Sequence, residues 1–147
     1  MPRKKTDKPP KPPKQPRITA EQRRDWRNLP TRDWNVMTFL AFFTDRNAEL
    51  YGAETYVPMR NWSFEQGVLK RAIAAHRPDV LREACEAAFE SYRPTRDYPL
   101  LTAGFAVSYR INALIPAIMA RRADDERRTA ELQADGETDY GALGALL

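Results

Sequence analysis

The chain has 147 residues, the size of one domain on a usual scale of roughly 100–200 residues each, which excludes separate cofactor and substrate lobes. Hydrophobic residues at 42% and aromatics at 10% suffice for a packed core, although the mean hydropathy is −0.67 and the ends are polar. The net charge of +4 is segregated: residues 1–17 set Arg3, Lys4, Lys5, Lys8, Lys11, Lys14 and Arg17 against Asp7, a +6 segment that leaves the remaining 130 residues at −2.

The segment MPRKKTDKPPKPPKQPR holds six of the twelve prolines and no aromatic residue. It cannot bury enough apolar surface to offset its ordering entropy, so a disordered basic tail with polyproline II character is expected. It reads either as a solubilising spacer or as an electrostatic arm on a phosphate backbone, with recognition by a proline-reading domain a remote third role. Lacking an aromatic residue to stack on bases, it should not read sequence.

The helical domain is expected over residues 18–120. Thr19 and Gln22 match a capping box and open a short helix that should end near Asn28 to Pro30. A second helix is predicted from about Arg32 to Tyr51, carrying Val36, Met37, Leu40, Phe43, Asn47 and Leu50 at three- and four-residue spacing, with Gly52 as its carboxy-terminal cap. Residues 53–62 contain Pro58 and no helical period, so Tyr56, Val57 and Trp62 are expected to pack down from a connector. Ser63 and Gln66 match another capping box, and Val68, Leu69, Ala72, Ile73 and His76 continue that helix. Pro78 suits the first turn of a fourth helix with the cleanest apolar stripe in the chain, Leu81, Ala84, Cys85, Ala88, Phe89 and Tyr92. A fifth should run from roughly Leu101 to Ile115, placing Phe105, Tyr109, Ile111 and Leu114 inward, until Pro116 kinks or restarts it. Residues 121–147 read as a solvated, charge-dense helix from Arg121 to Gln133 that frays into a flexible tail. No run alternates like a β-strand, so the expected fold class is all-α, a bundle of five to six helices flanked by tails.

Little in this chain resembles catalytic equipment. The single cysteine, Cys85, excludes an internal disulfide, and with His76 as the one other soft ligand it excludes the usual structural zinc sites. Cys85 lies on an apolar stripe and His76 at a helix end, positions that suit a small hydrophobe and a cap. Asp124, Asp125 and Glu126 are adjacent on a helix and flanked by arginines, a solvated face rather than a metal cluster. No phosphate loop or nucleophile triad occurs. The expectation is therefore no enzyme, no cofactor and no metal. The amino terminus lacks the apolar run of a signal peptide, and no uninterrupted uncharged stretch approaches 18 residues, so no membrane span is expected.

The informative cluster is basic and aromatic: Arg60, Trp62, Lys70, Arg71, Arg77, Arg93, Arg96 and Arg110 lie in or beside helix junctions. It is either ordinary surface charge or, if Lys70 and Arg71 share a face with Arg93 and Arg96, a continuation of the positive track begun by the tail. Leu143, Leu146 and Leu147 form a small apolar tip behind Asp135, Glu137 and Asp139, the kind of segment that docks into a partner groove and orders on contact.

From Trp34 to Pro116 the chain resembles a helical module of phage and prophage replication-initiation and helicase-loader-type proteins. The matching elements are the aromatic helix ending Tyr51-Gly52, the Tyr56-Val57-Pro58 connector, the Leu69-Lys70-Arg71 helix, the Pro78-Asp79-Val80-Leu81 start, and the Phe105, Ile111-Asn112 and Leu114 helix. The resemblance implies a small accessory protein inside a bacterial host cell, in the cytoplasm, acting on DNA or on a replicative helicase or other replication protein. The rival reading is a protein–protein adaptor, a regulatory or structural phage subunit whose basic tail is only solubilising.

Overall fold

Side-chain caps decide where these helices begin. The computed structural model describes residues 17–146, with side chains as far as Asp135. Thr19 and Gln22 form the expected reciprocal box (Gln22 N–H to Thr19 Oγ1, 3.1 Å; Thr19 N–H to Gln22 Oε1, 2.9 Å) at the head of α1, Ala20–Arg24. This helix stops earlier than expected, because Asp25 leaves helical geometry and its carboxylate accepts from the Asn28 side chain in a local turn. A 3₁₀ turn, Thr31–Asp33, precedes α2, Val36–Tyr51, which Asn35 caps by accepting from Thr38 N–H at 3.1 Å. Gly52 closes α2 at φ 68°, the left-handed geometry that glycine adopts without steric cost.

The cap of α3, Trp62–Ala75, corrects the sequence reading. Asn61, not Ser63, accepts from the Phe64 N–H at 2.7 Å, so the helix starts two residues earlier. Trp62 becomes its first residue and stays half-exposed, Val57 is exposed as well, and of the three residues expected to pack down from the connector only Tyr56 is buried. α4, Pro78–Ser91, follows the expected bounds with proline in its first turn and Tyr92 as cap before Pro94. α5, Ala103–Phe105, starts behind Thr102 and passes into a single π-turn, Ala106–Arg110, and then into α6, Ile111–Leu146. Pro116 lies within α6 without ending it, and the helix runs beyond Gln133 since no later proline forbids it. The architecture is all-α, and among the described residues no strand occurs.

An aromatic cluster fills the centre. Phe42 meets Trp26, Phe43 and Phe89 edge-on with ring centroids 5.1, 5.7 and 5.7 Å apart, and Trp34 stands edge-on to Phe39 at 5.1 Å. Trp26, beyond the end of α1, joins this core by donating its indole N–H to Asp45 at 2.8 Å. The α4 stripe lies inward as expected, with Leu81, Ala84, Cys85, Ala88, Phe89 and Tyr92 all buried. Burial pushes the Cys85 thiol far above its ordinary range, which keeps it protonated and inert.

Against α4 packs α6. Arg122 reaches Asp79 and Glu83, each at 2.7 Å, and Arg121 also pairs with Glu83, so the start of the charged segment is docked rather than solvated. The hydrogen bond from Arg122 holds the Asp79 carboxyl below the usual range; partial desolvation opposes that shift, and Arg77 reinforces it. The continuous helical stretch Ala103–Asp135 contains an 18-residue window of mean hydropathy 1.3, long and apolar enough by composition to cross a membrane. The expectation of no such stretch demanded an unbroken uncharged run, whereas in this average Ile and Val outweigh Arg110. A third of the window is buried in the protein, through residues such as Val107, Ile111 and Ile118.

Candidate nucleic-acid interface

Residues 98–102 have no regular secondary structure, yet their backbone must still be hydrogen-bonded where it is buried. Four side chains supply those bonds to residues 98–104. From the end of α4, the Tyr92 hydroxyl is shared between the carbonyls of Tyr98 (2.7 Å) and Leu100 (3.1 Å). From α2, Asn47 acts as a surrogate peptide: its Nδ2 donates to Leu101 O and its Oδ1 accepts from Leu101 N–H, both at 2.8 Å. Tyr56 accepts from Ala103 N–H at 2.7 Å, and Glu65 Oε2 accepts from Gly104 N–H at 2.5 Å.

Glu65 is completely buried. Besides Gly104 it accepts from the Tyr56 hydroxyl (2.7 Å) and from Met59 N–H (3.2 Å) through Oε1, and among the described residues it has no ion-pair partner. Burial, and then the neighbouring Glu65, push the Tyr56 phenol far above its usual range, so it remains the donor toward the carboxyl. Gly104 permits this approach, since a Cβ there would lie 3.0 Å from Phe64 Cε1 and 3.3 Å from Met59 Cβ.

The segment so fixed forms one wall of a cavity of about 580 Å³, within the range of roughly 300–1,000 Å³ typical of small-ligand clefts. Tyr98 and Tyr109 stand in it 72% and 64% exposed. The Tyr109 ring rests on Phe105 at 5.4 Å, and the Arg110 guanidinium lies over the Phe105 ring, 5.7 Å from its centroid. Arg93 and Arg110 are the charged residues lining the cavity, and no carboxylate does. Neither has an ion-pair partner among the described residues; Arg93 donates only to the Glu90 carbonyl. Arg110 also acts on Tyr92, whose phenol burial raises while the guanidinium opposes the shift.

The structure separates most of the basic residues singled out from sequence. Lys70 lines a groove between α2 and α3, Arg71 lines a different cleft beside His76 and Asn112, and Arg93 lines the tyrosine cavity. Neither Lys70 nor Arg71 thus lines the cavity that Arg93 lines. Arg96 is exposed in the turn closed by the Thr95 N–H to Tyr98 O bond, at the cavity's edge. Arg17 is exposed, while Arg3, Lys4, Lys5, Lys8, Lys11 and Lys14 lie outside the described residues, as do the side chains of Leu143, Leu146 and Leu147. Tyr109, expected inside, lies in the π-turn and is exposed. Sequence reasoning missed Tyr98, Met59 and the anchoring Glu65; its one signal for the loop was the pair Pro94 and Pro99 bracketing an aromatic residue beside two arginines. Among the described residues no group of three His, Cys, Asp or Glu side chains is arranged to hold a metal ion.

Comparison with known proteins finds no matching protein-family model, curated protein or solved structure.

Proposed function

We propose that this chain is a non-enzymatic DNA-associated accessory protein of the phage or prophage replication type, loading or assisting a helicase or initiator. The segregation of charge carries the reading. A +6 segment of 17 residues precedes a body of net −2, and within that body the tyrosine cavity offers two arginines and no carboxylate. Phosphate contacts from such a segment position a protein on nucleic acid without reading bases.

Deleting residues 1–17 should weaken binding to all DNA sequences alike. It should also flatten the dependence of log K on log salt by roughly 0.7–0.9 for each phosphate that the segment would otherwise neutralise. Fluorescence anisotropy with a labelled oligonucleotide across a salt series measures both effects. No binding by the intact chain at low salt, or an unchanged slope after the deletion, would overturn the reading.

The adaptor reading draws on a separate feature. Between α2 and α3 lies an open groove of about 1030 Å³, where Met37 and Trp62 are exposed beside Leu40. A partner helix laid there would cover them.

A further inference from the structure

We propose that the cavity between Tyr98 and Tyr109 is a stacking site for an unpaired nucleobase, and hence that the DNA this protein engages is single-stranded. The inference rests on the nucleic-acid reading above and specifies its ligand. Three observations converge on it. Two phenol rings stand well exposed in one cavity, and that of Tyr109 is backed by Phe105, so a flat ligand meets one ring already held in place and a second free to close on it. The guanidiniums of Arg93 and Arg110 border the same cavity with no carboxylate in its lining, which matches the phosphates on either side of a base. The wall behind the rings is fixed by Tyr92, Asn47, Tyr56 and Glu65, so little ordering remains to be done on binding.

A base inside a duplex offers only its edges, whereas an unpaired base offers its faces, and faces are what exposed phenols bind. Exposed tyrosines also suit proline-rich peptides. The proline-rich run of this chain, however, carries +6, and a cavity bordered by Arg93 and Arg110 repels it.

The test uses the full chain with a labelled 12-nucleotide oligothymidylate and a labelled duplex of the same length. The intact protein should prefer the single strand. Tyr98→Ala with Tyr109→Ala should weaken single-strand binding about five- to hundredfold, the equivalent of one stacked base, while leaving duplex binding unchanged. Tyr98→Phe with Tyr109→Phe keeps both rings and should restore the affinity. Because both side chains are exposed and the Tyr98 hydrogen bonds are made by its backbone, the alanine variant should retain native helicity and melting temperature, measured alongside. Equal losses on single strand and duplex would overturn the stacking site, as would an unchanged single-strand affinity. If that affinity is unchanged yet falls on deleting residues 1–17, the DNA-associated reading survives and the stacking site alone is rejected. Binding of a neutral proline-rich peptide that the alanine variant abolishes, with no single-strand preference, would assign the cavity to a peptide instead. If the intact chain binds neither DNA, both proposals fall.

Discussion

Glu65→Ala should remove most of the stability of this protein. The substitution deletes the acceptor of three donors at once, the buried Tyr56 hydroxyl and Gly104 N–H and the partly buried Met59 N–H. A buried donor left without a partner costs about 1–3 kcal/mol, so the two buried donors alone bring a penalty on the order of 2–6 kcal/mol before the Met59 N–H or any cavity is counted. The whole stability of a domain is typically about 5–15 kcal/mol. Urea denaturation followed by circular dichroism should show either a large fall in midpoint or no folded baseline. Glu65→Gln should lie between wild type and alanine, because the amide keeps one acceptor oxygen but turns an NH₂ group toward a donor. A loss below about 1 kcal/mol for the alanine variant would mean that the three donors find other acceptors.

Phe89→Ala is the second large effect. Phe89 is buried on α4, with its ring 5.1 Å from Phe43, 5.7 Å from Phe42 and 6.0 Å from Tyr51. It thus links the stripe of α4 to the aromatic face of α2, and its truncation empties the junction between them. Loss of the ring should cost on the order of 3–5 kcal/mol, the usual range for a phenylalanine in a core that relaxes only partly. In a thermal melt this corresponds to roughly 10–20 °C for a domain of this size. Phe89→Leu should recover a good part of the loss by refilling the space. A change within about 0.5 kcal/mol would place Phe89 at the surface instead.

The helices were largely legible because their apolar periods are local. The α4 stripe needs only its own sequence, with Pro78 to start it and Pro94 behind it. At α3 the sequence offers two caps, Asn61 and Ser63, two residues apart. With either cap Glu65 looks like an ordinary acidic residue of the first turn. Yet Glu65, Val68, Leu69 and Ala72 follow the i, i+3, i+4, i+7 spacing of one face, and all four are buried. The carboxyl was therefore marked as inward-facing by periodicity, and what hid it was the rarity of an acidic side chain in a core without a cation.

The cavity was less legible. Its wall at residues 98–104 accepts from Asn47 and donates to Tyr56 and Glu65, dozens of residues away in sequence, and no local pattern reports such partners. Lys70 and Arg71 show what sequence proximity leaves open. As neighbours in sequence they look like one basic patch, but consecutive helical residues point roughly 100° apart, and the two line different clefts.

The π-turn at Ala106–Arg110 is a place where this helix carries one residue more than a regular turn needs. Removing a single residue there would let the turn relax into a regular α-helix, at no expense in backbone hydrogen bonds. Five residues in π geometry cover about the rotation and rise of four in α geometry, so the helix downstream would keep nearly its present place. Arg122 would stay within reach of Asp79 and Glu83, and Ile118 within the core. A one-residue deletion between Ile111 and Ala117, where the helix is regular, would instead turn everything beyond it by roughly 100° and break both contacts. Single deletions should therefore be tolerated at the π-turn and resisted just beyond it.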